Sequence, residues 1–425
     1  MASETIELKY GEGTISFDLP KERLLGVLKP GRAPAPSSED AEVRRALTQP
    51  IGAPRIGEIV KPGERVAIIT SDITRPVPSY KILPPLLDEL ADAGIAAADI
   101  TIVLALGSHR PHTEEEKQKL VGSEVIARGI RVIDSKMTQC VRLGVCRNGT
   151  PVDIFRPVAE ADRRICLGNI EYHYFAGYSG GSKALMPGVS SREAIQANHA
   201  NMIREGAYAG NIAGNPVRED IEQITDFIKI DFIVNVVLDD AKHILKAVAG
   251  DAVEAHREGC AFLDKIYKVF IERKADVVVL SPGGFPKDIN LYQAQKGLDN
   301  AKHAVKDGGI LIWCASAGEG FGEAVFEEWM RMMTPDEMIE EIRRNFRLGG
   351  HKAAAIGMVL KKSRIFFVSD LDDALVEEIG FEPFPDVRQA VRAALEACGE
   401  SAGVYVMPAA NSTLPAWAEP QMRES

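Results

Sequence analysis

The sequence predicts an α/β protein with two doubly wound, Rossmann-like domains and an active-site cleft between them. Two series of short apolar runs, rich in β-branched residues, alternate with helical stretches, as in parallel sheets covered by helices. The chain has 425 residues, too many for one ordinary core and suited to two domains of roughly 150–250 residues. Hydrophobic residues make up 45% and charged residues 26%, which are values typical of globular proteins.

The first series begins after a predicted β-hairpin. Apolar residues alternate with polar ones from Ile6 to Leu19, and Gly11 and Gly13 supply the turn. Prolines and a glycine then favour an extended connection over residues 28–40. The predicted elements that follow are helix 41–48, strand 66–69, helix 82–93, strand 100–104, helix 113–120, strands 164–167 and 231–238, and a long helix over roughly 252–273.

The second series occupies the remainder of the chain. Its predicted elements are strands 276–280, 309–314 and 364–368, helices 293–306, 335–346 and 385–397, and a last strand at 403–407. We therefore expect an N-terminal cofactor-binding domain over residues 1–268 and a C-terminal α/β domain over residues 269–402 that contributes substrate contacts. Residues 403–425 are expected to return to the first domain.

Composition and charge exclude several classes of protein. The formal net charge is −11 and no long basic run is present, so nucleic acid is not an expected partner. No segment approaches the roughly 18–20 apolar residues that span a bilayer, and the first residues do not resemble a signal peptide, so we expect a cytoplasmic protein without a membrane partner. The six cysteines form no Cys-x-x-Cys pair and are predicted to be reduced core thiols.

Four polar stretches follow predicted strands, at residues 71–76, 107–112, 171–199 and 288–296. Ligands of open α/β sheets bind at the carboxyl ends of the strands, so we expect these stretches to share a cleft. The third stretch places a lysine, in glycine-rich backbone, between two histidines. A lysine amine can tether a carbonyl-derived or thioacyl-derived cofactor, and an imidazole can complete a metal site beside it.

Taken singly, the polar residues of these stretches also have structural explanations. Asp72 could cap a turn, and Arg75 could form a surface ion pair. His109 and His112 could be hydrogen-bonded structural histidines. The Gly-Gly-Ser-Lys run ending at Lys183 lacks the spacing of a phosphate-binding loop, which disfavours a nucleoside triphosphatase.

Together, five motifs in order resemble the nickel-dependent lactate racemase family. The likeness extends over nearly the whole chain. The motifs are Ser71-Asp72-Ile73-Thr74-Arg75-Pro76, Gly107-Ser108-His109-Arg110, Tyr172-His173-Tyr174-Phe175-Ala176-Gly177-Tyr178-Ser179-Gly180-Gly181-Ser182-Lys183-Ala184, Asn198-His199 and Tyr292-Gln293-Ala294-Gln295-Lys296.

This resemblance implies a nickel-pincer nucleotide, a pyridinium-3,5-bisthiocarboxylic acid mononucleotide that carries Ni(II). By the family's motifs, Lys183 would hold this cofactor through a thioamide and His199 would supply a ligand to nickel. Cofactor contacts are also expected from the residues of the first motif: Asp72, Ile73, Thr74 and Arg75. Proteins that synthesise or deliver the cofactor are then possible partners.

The resemblance further implies a racemase or epimerase that inverts the Cα atom of a small 2-hydroxy acid. Hydride would move reversibly between the substrate and the cofactor, while His109 and His173 exchange the hydroxyl proton. Substrate contacts are expected from Arg75, Tyr292, Gln293 and Lys296. Trp313 and Trp329 are candidates for an aromatic side chain against the substrate.

Two alternatives remain open at this level. One is a zinc-dependent hydrolase in which His109, His173 and His199 surround a metal ion that keeps an open position. The other is a protein without catalytic activity that carries the nickel species to another site.

Overall fold

The chain forms two compact units in the computed structural model, which describes residues 2–31, 33–75 and 77–417. The central unit runs from residue 32 to residue 265. The terminal unit combines the chain up to Gly31 with the chain from Ile266 onward. Pro76 of the first motif and residues 418–425 lie outside the described residues.

The strands and helices alternate along most of the chain. The strands are β1 (Ser3–Tyr10), β2 (Gly13–Pro20), β3 (Leu24–Val27), β4 (Val66–Ser71), β5 (Ile100–Ala105), β6 (Arg131–Asp134), β7 (Cys140–Val145), β8 (Pro151–Phe155), β9 (Arg163–Asn169), β10 (Tyr172–His173), β11 (Gly177–Tyr178), β12 (Phe232–Leu238), β13 (Ile244–Gly250), β14 (Lys268–Ile271), β15 (Ala275–Leu280), β16 (Val305–Cys314), β17 (Arg364–Val368), β18 (Glu382–Pro383), β19 (Val404–Met407) and β20 (Leu414–Trp417). The helices are α1 (Glu39–Thr48), α2 (Ile56–Ile59), α3 (Ser79–Asp92), α4 (Glu114–Val121), α5 (Ser123–Ala127), α6 (Arg156–Ala159), α7 (Arg192–Ala200), α8 (Pro216–Gln223), α9 (Glu254–Tyr267), α10 (Leu291–Ala301), α11 (Ala324–Met332), α12 (Pro335–Arg344), α13 (Gly350–Leu360), α14 (Asp373–Glu378) and α15 (Val387–Cys398).

The central unit is built on a six-stranded sheet in the order β13-β12-β9-β4-β5-β6. All neighbours are parallel except β12 and β13. Strand β4 is an almost continuous apolar run that is buried nearly throughout, as expected for a strand covered on both faces. The chain builds outward from β4 in one direction through β5 and β6, and then in the other through β9 and β12. The carboxyl ends of β4 and β9 therefore form a topological switch point, where doubly wound sheets bind ligands.

The terminal unit contains a second six-stranded sheet in the order β18-β17-β16-β15-β19-β3, in which all neighbours are parallel. The β1–β2 hairpin packs its apolar face into the core of this sheet, with Phe17 beside the strand residues Val277 and Ile310. The predicted fold class of two doubly wound α/β domains is confirmed, as are the hairpin and the alternation of strands and helices.

The structure corrects the predicted domain boundaries. Strand β19 lies between β15 and β3, where Val404 pairs with Leu24, so both ends of the described chain belong to the terminal unit. The long helix predicted over 252–273 ends at Tyr267, because residues 268–271, three of which are β-branched or aromatic, form β14 beside β20. Within the described ranges, no helix is both long and apolar enough to cross a membrane.

Candidate active site

The predicted site residues of the central unit follow three neighbouring strands, β9, β4 and β5. Asp72 comes directly after β4, His109 follows β5, and the stretch from His173 to Lys183 follows β9. Since the three strands are parallel, their carboxyl ends meet at one edge of the sheet. The expectation that these stretches converge is therefore confirmed for the central unit.

Asp72 and His109 form a hydrogen-bonded pair at this edge. The Nδ1 atom of His109 lies 2.6 Å from Oδ2 of the buried Asp72, and Thr74 Oγ1 donates to the same carboxylate. Burial raises the pKa of Asp72, but the hydrogen bond and charge of His109 outweigh it, so the pKa of this carboxyl is lowered overall. A carboxylate only accepts hydrogen bonds, so Nδ1 of His109 carries a proton, and Nε2 is an acceptor whenever the ring is neutral.

His112 is a structural support for the same segment. Its buried ring accepts a hydrogen bond at Nε2 from the Ile73 backbone N–H at 3.1 Å. Its Nδ1 atom donates to Asp134 Oδ1 at 2.6 Å, and Asp134 Oδ2 accepts from the His112 backbone N–H. Because Asp134 ends β6, this chain of bonds ties the backbone after β4 to the edge strand of the sheet.

Arg75 is exposed, and it forms no ion pair with the residues that the structure describes. Its guanidinium is nevertheless near enough to act on three neighbours, because its charge lowers the pKa values of Asp72, His173 and Lys183. The alternative of a surface ion pair is therefore not observed. A guanidinium whose fork is open to solvent is suited to bind a carboxylate through two parallel hydrogen bonds.

His173 lies in the short strand β10 and presents a neutral ring. Its Nδ1 atom accepts a hydrogen bond from the Ala176 backbone N–H at 3.3 Å, which leaves the proton on Nε2. Burial, followed by the charges of Lys183 and Arg75, holds the pKa of His173 well below its usual value. His109 and His173 therefore differ at Nε2, which accepts a hydrogen bond in the first and donates one in the second.

Lys183 lies in a 3₁₀ turn, Gly181–Ala184, that two glycines bring close to the sheet. Gly180 and Gly181 have φ values of 77° and 60°, a region that disfavours other residues. A Cβ atom on Gly180 would come within 2.7 Å of Asn235 Oδ1, the atom that accepts the Gly181 N–H. Burial, followed by the charges of Arg75 and Arg218, lowers the pKa of Lys183 well below its usual value. A neutral amine is the form that attacks carbonyl or thioacyl carbon.

His199 lies on α7 and is buried. The ring of Phe175 lies edge-on to the rings of His199 and His173, with centroid-to-centroid distances of 5.0 and 4.5 Å, so one phenyl ring contacts both imidazoles. Among the described residues, no group of three His, Cys, Asp or Glu side chains could hold a metal ion. His109, His173 and His199 therefore do not form the three-ligand zinc site of the hydrolase alternative.

The predicted substrate residues of the terminal unit lie at the start of α10. The Asn290 side chain caps this helix by accepting the Gln293 N–H at 2.9 Å, which places Tyr292, Gln293 and Lys296 in its first two turns. The two tryptophan candidates are corrected. Trp313 and Trp329 are both 0% exposed in the core of the terminal unit, so neither lines a surface that a substrate could reach.

The sequence alone assigns no supporting role at the site to several residues that the structure places around it. Tyr172 and Tyr178 donate hydrogen bonds to Asp264 on α9, and His256 on the same helix lies 2.8 Å from the carbonyl oxygen of Ser179. Arg218 on α8 also supports the site, and its side chain is buried. An Arg or Asp on an amphipathic helix is usually solvated, so nothing in the sequence distinguishes these positions from surface ones.

Comparison with known proteins identifies the family. The model for the lactate racemase N-terminal domain matches residues 10–210, and the model for the lactate racemase C-terminal domain matches residues 271–414. The chain belongs to the lactate racemase family. Lactate racemases from Thermoanaerobacterium thermosaccharolyticum and Lactiplantibacillus plantarum are each 34% identical to it, over 415 and 418 residues, which is 95% of this chain and 97% of each relative.

Solved structures agree with this assignment. The lactate racemase apoprotein from T. thermosaccharolyticum superposes with a TM-score of 0.87 at 31% identity, covering 97% of this chain and 100% of the other. A protein from Thermotoga maritima gives 0.63 at 16% identity, covering 91% of this chain and 100% of the other, and shows the fold alone. This member of the lactate racemase family is therefore an isomerase, and the family is nickel-dependent.

Proposed function

We propose that this protein inverts the Cα configuration of lactate or a closely related 2-hydroxy acid, by reversible hydride transfer to a nickel-pincer nucleotide attached to Lys183. The observation that carries the proposal is the arrangement at the edge of the central sheet. A carboxylate-bound His109, a neutral His173 and a lysine of lowered pKa follow neighbouring strands there, and the charge of Arg75 acts on both His173 and Lys183. Two histidines with opposite proton positions suit a reaction that must run in both directions.

The residues present fit the proposed cofactor. The lowered pKa of Lys183 increases the fraction of uncharged amine that can form a thioamide link, and His199 offers an imidazole of the kind that Ni(II) binds. Arg75 and Arg218 add positive charge, which favours an anionic nucleotide. The buried hydroxyl of Ser182, next to the lysine, has no hydrogen-bond partner among the described residues, as expected where a ligand completes a site. When bound, this group would supply an acceptor for hydride.

The protein's own residues would bind the acid and move its hydroxyl proton. Arg75 is proposed to bind the substrate carboxylate through its two parallel N–H groups. His109 is proposed to take the hydroxyl proton at Nε2, while Asp72 stabilises the imidazolium that forms. The Nε2–H of His173 would donate a hydrogen bond to the substrate oxygen.

For the opposite enantiomer the two histidines would exchange roles. His173 must then lose its Nε2 proton, which requires Nδ1 to give up the hydrogen bond from Ala176. At 3.3 Å this bond is long, so the exchange of tautomers costs little. Once protonated, His173 is a strong acid because of its lowered pKa, and it returns the proton readily.

The remaining expectations stay predictions. Tyr292, Gln293 and Lys296 are proposed to orient the acid, and Asp72, Ile73 and Thr74 to contact the cofactor as well as to hold His109. All six cysteines are free thiols, which supports a reducing compartment such as the cytoplasm. Proteins that make or deliver the cofactor are proposed partners.

Chiral chromatography tests the function directly. The enzyme is purified from cells that also make the cofactor and is incubated with D- and L-enantiomers of lactate, malate and sugar-derived 2-hydroxy acids. We expect interconversion of lactate or a near relative, a mass adduct on the Lys183 peptide, and neither in Lys183→Ala. An adduct on Lys183 with no interconversion of any acid would contradict the proposal.

The carrier alternative is tested with the histidines. In His109→Ala and His173→Ala we expect the adduct on Lys183 to remain while interconversion falls at least a hundredfold, consistent with the usual contribution of a general acid or base. If the protein were only a carrier, the unmodified protein would also show no interconversion, but it would still release nickel to another protein.

A further inference from the structure

The segment Phe175–Tyr178 joins His173 to the Lys183 turn, and residues 210–218 hold its carbonyl groups. Each of its four carbonyl groups accepts a hydrogen bond from residues 210–218. Asn215 Nδ2 donates to Phe175 O at 3.0 Å, and the Gly210 N–H donates to Gly177 O at 2.9 Å. Arg218 supplies the other two bonds, from Nε to Ala176 O at 3.2 Å and from Nη2 to Tyr178 O.

Arg218 is an unusual choice for this task because it is a buried cation with little neutralisation. Only 1% of the residue is exposed, and its Nη1 atom has no hydrogen-bond partner among the described residues. Glu222 lies 3.8 Å from Nη1, but its carboxylate is bound at 2.7 and 2.8 Å by Arg257. A buried charge without a close counterion is costly, and an amide side chain could hold a carbonyl without that cost.

We propose that Arg218 is a positioning residue of the racemase site, which fixes the backbone between His173 and Lys183 and supplies a permanent positive charge that acts on the lysine. The inference rests on the proposed function in assigning Lys183 to cofactor attachment. The planar fork of a guanidinium reaches two carbonyls at once, which neither lysine nor glutamine can do in the same geometry.

The electrostatic part of the proposal follows from the surroundings of Lys183. Burial is the largest cause of its lowered pKa, and the charges of Arg75 and then Arg218 add to it. Arg218 also lowers the pKa of His173, after burial and the larger effects of other charges. Because Arg75 is exposed and Arg218 is enclosed, only the charge of Arg218 is shielded from salt and substrate.

The test uses the full-length apoprotein, made in cells that lack the cofactor. A neutral acetylating reagent, the N-hydroxysuccinimide ester of acetic acid, reacts only with uncharged amines, and peptide mass spectrometry follows Lys183 from pH 6 to 10. Hydrogen exchange of the peptide containing residues 174–180 reports the backbone. The variants are Arg218→Gln, Arg218→Lys and the control Arg204→Gln, whose exposed side chain hydrogen-bonds to Asn201 alone among the described residues.

In Arg218→Gln we expect acetylation of Lys183 at pH 7 to fall roughly three- to tenfold, which corresponds to a rise of about half to one pKa unit. In Arg218→Lys the charge remains, so acetylation should stay within about twofold of the unmodified protein. Both variants should exchange the amides of residues 174–180 at least about tenfold faster, because a bond to a carbonyl is lost. Arg204→Gln should change neither readout.

Unchanged acetylation and unchanged exchange in a folded Arg218→Gln variant would overturn the proposal. If that variant does not fold, Arg218→Lys decides: faster exchange of residues 174–180 supports the proposal, and wild-type exchange overturns it. Neither readout involves nickel or substrate. An unmodified enzyme that racemises no acid would therefore refute the proposed function while leaving the result for Arg218 standing.

Discussion

Asp72→Asn is the substitution that most directly tests how His109 is held. The amide keeps the shape of the carboxylate but loses its charge and one of its two acceptor atoms. In the unmodified protein, the 2.6 Å contact between Oδ2 and His109 Nδ1 fixes the proton on Nδ1, and Thr74 Oγ1 bonds both carboxylate oxygens. With an amide in place, a flipped Asn presents an N–H₂ group to the ring, which would favour the opposite tautomer.

The size of the effect follows from the kind of bond that is lost. A hydrogen bond to a charged partner contributes about 1.5–3 kcal/mol, and Asp72 is only 3% exposed, so water cannot replace it. If the imidazolium of His109 forms in the transition state, losing this hydrogen bond raises the activation free energy by the full amount, about 1.5–3 kcal/mol. We therefore expect kcat/KM to fall roughly tenfold to 150-fold, mainly through kcat.

The assay is the initial rate of interconversion of D- and L-lactate by cofactor-loaded enzyme, followed by chiral chromatography. The matched control is Asp162→Asn, which removes a carboxylate at the amino end of the same strands, where it accepts the Arg65 N–H. The control should leave turnover unchanged. Wild-type kcat/KM in Asp72→Asn, with the adduct on Lys183 present, would refute the reasoning.

The pH dependence of stability gives the same pair a second test. The folded-state pKa of Asp72 is lowered, so the carboxylate stabilises the fold fully above its unfolded pKa of about 3.9. This contribution is lost as the pH falls through the lower folded pKa. The difference in unfolding free energy between the unmodified protein and Asp72→Asn should thus be constant from pH 5 to 7 and shrink below about pH 4. A difference that grows on acidification would contradict this assignment.

Three further predictions concern the supports of the site. His112→Ala should lower the unfolding free energy by about 2–3 kcal/mol in urea titrations, since it removes two hydrogen bonds and leaves Asp134 without its partner; an unchanged midpoint would contradict it. Gly177→Ala should lower the unfolding free energy by more than about 2 kcal/mol, because a Cβ atom there would lie 2.0 Å from Asn211 O at a φ of 75°. The control Gly129→Ala has a φ of 73° but open space around it, so its unfolding free energy should fall by only about 1–2 kcal/mol. Acetylation of Lys183 in the apoprotein should have a pH midpoint below the ordinary lysine value of about 10.4, and a midpoint at or above that value would contradict the lowered pKa.

Much of the fold could be predicted from the sequence because apolar runs of four to eight residues report buried strands regardless of their partners. Residues 66–69 and 100–104 are such runs, and the structure places them in β4 and β5, respectively. The pairing of distant strands is not encoded in the same way. Val404 and Leu24 are neighbours in one sheet, but each run is equally compatible with an edge of either domain. The assignment of both chain ends was wrong for that reason.

The candidate site divides along a similar line. Side chains that follow strands, such as Asp72, His109 and Lys183, are brought to one edge by the parallel arrangement, and this could be predicted from their spacing. Their protonation states could not, because these depend on contacts made across the fold. Arg218 is one example, because its charge lowers the pKa values of His173 and Lys183 only once α8 packs on the loop after β9 and buries it.

Deuterium at Cα of lactate provides the most direct measurement of the central claim, that hydride is stored and returned while His109 and His173 exchange only the hydroxyl proton. Enzyme loaded with cofactor is incubated with Cα-deuterated L-lactate in ordinary water. The D-lactate formed is separated, and its deuterium content is measured by mass spectrometry. We predict slower turnover than with protiated lactate and D-lactate that keeps its deuterium. D-lactate that has lost its deuterium to water would contradict the account.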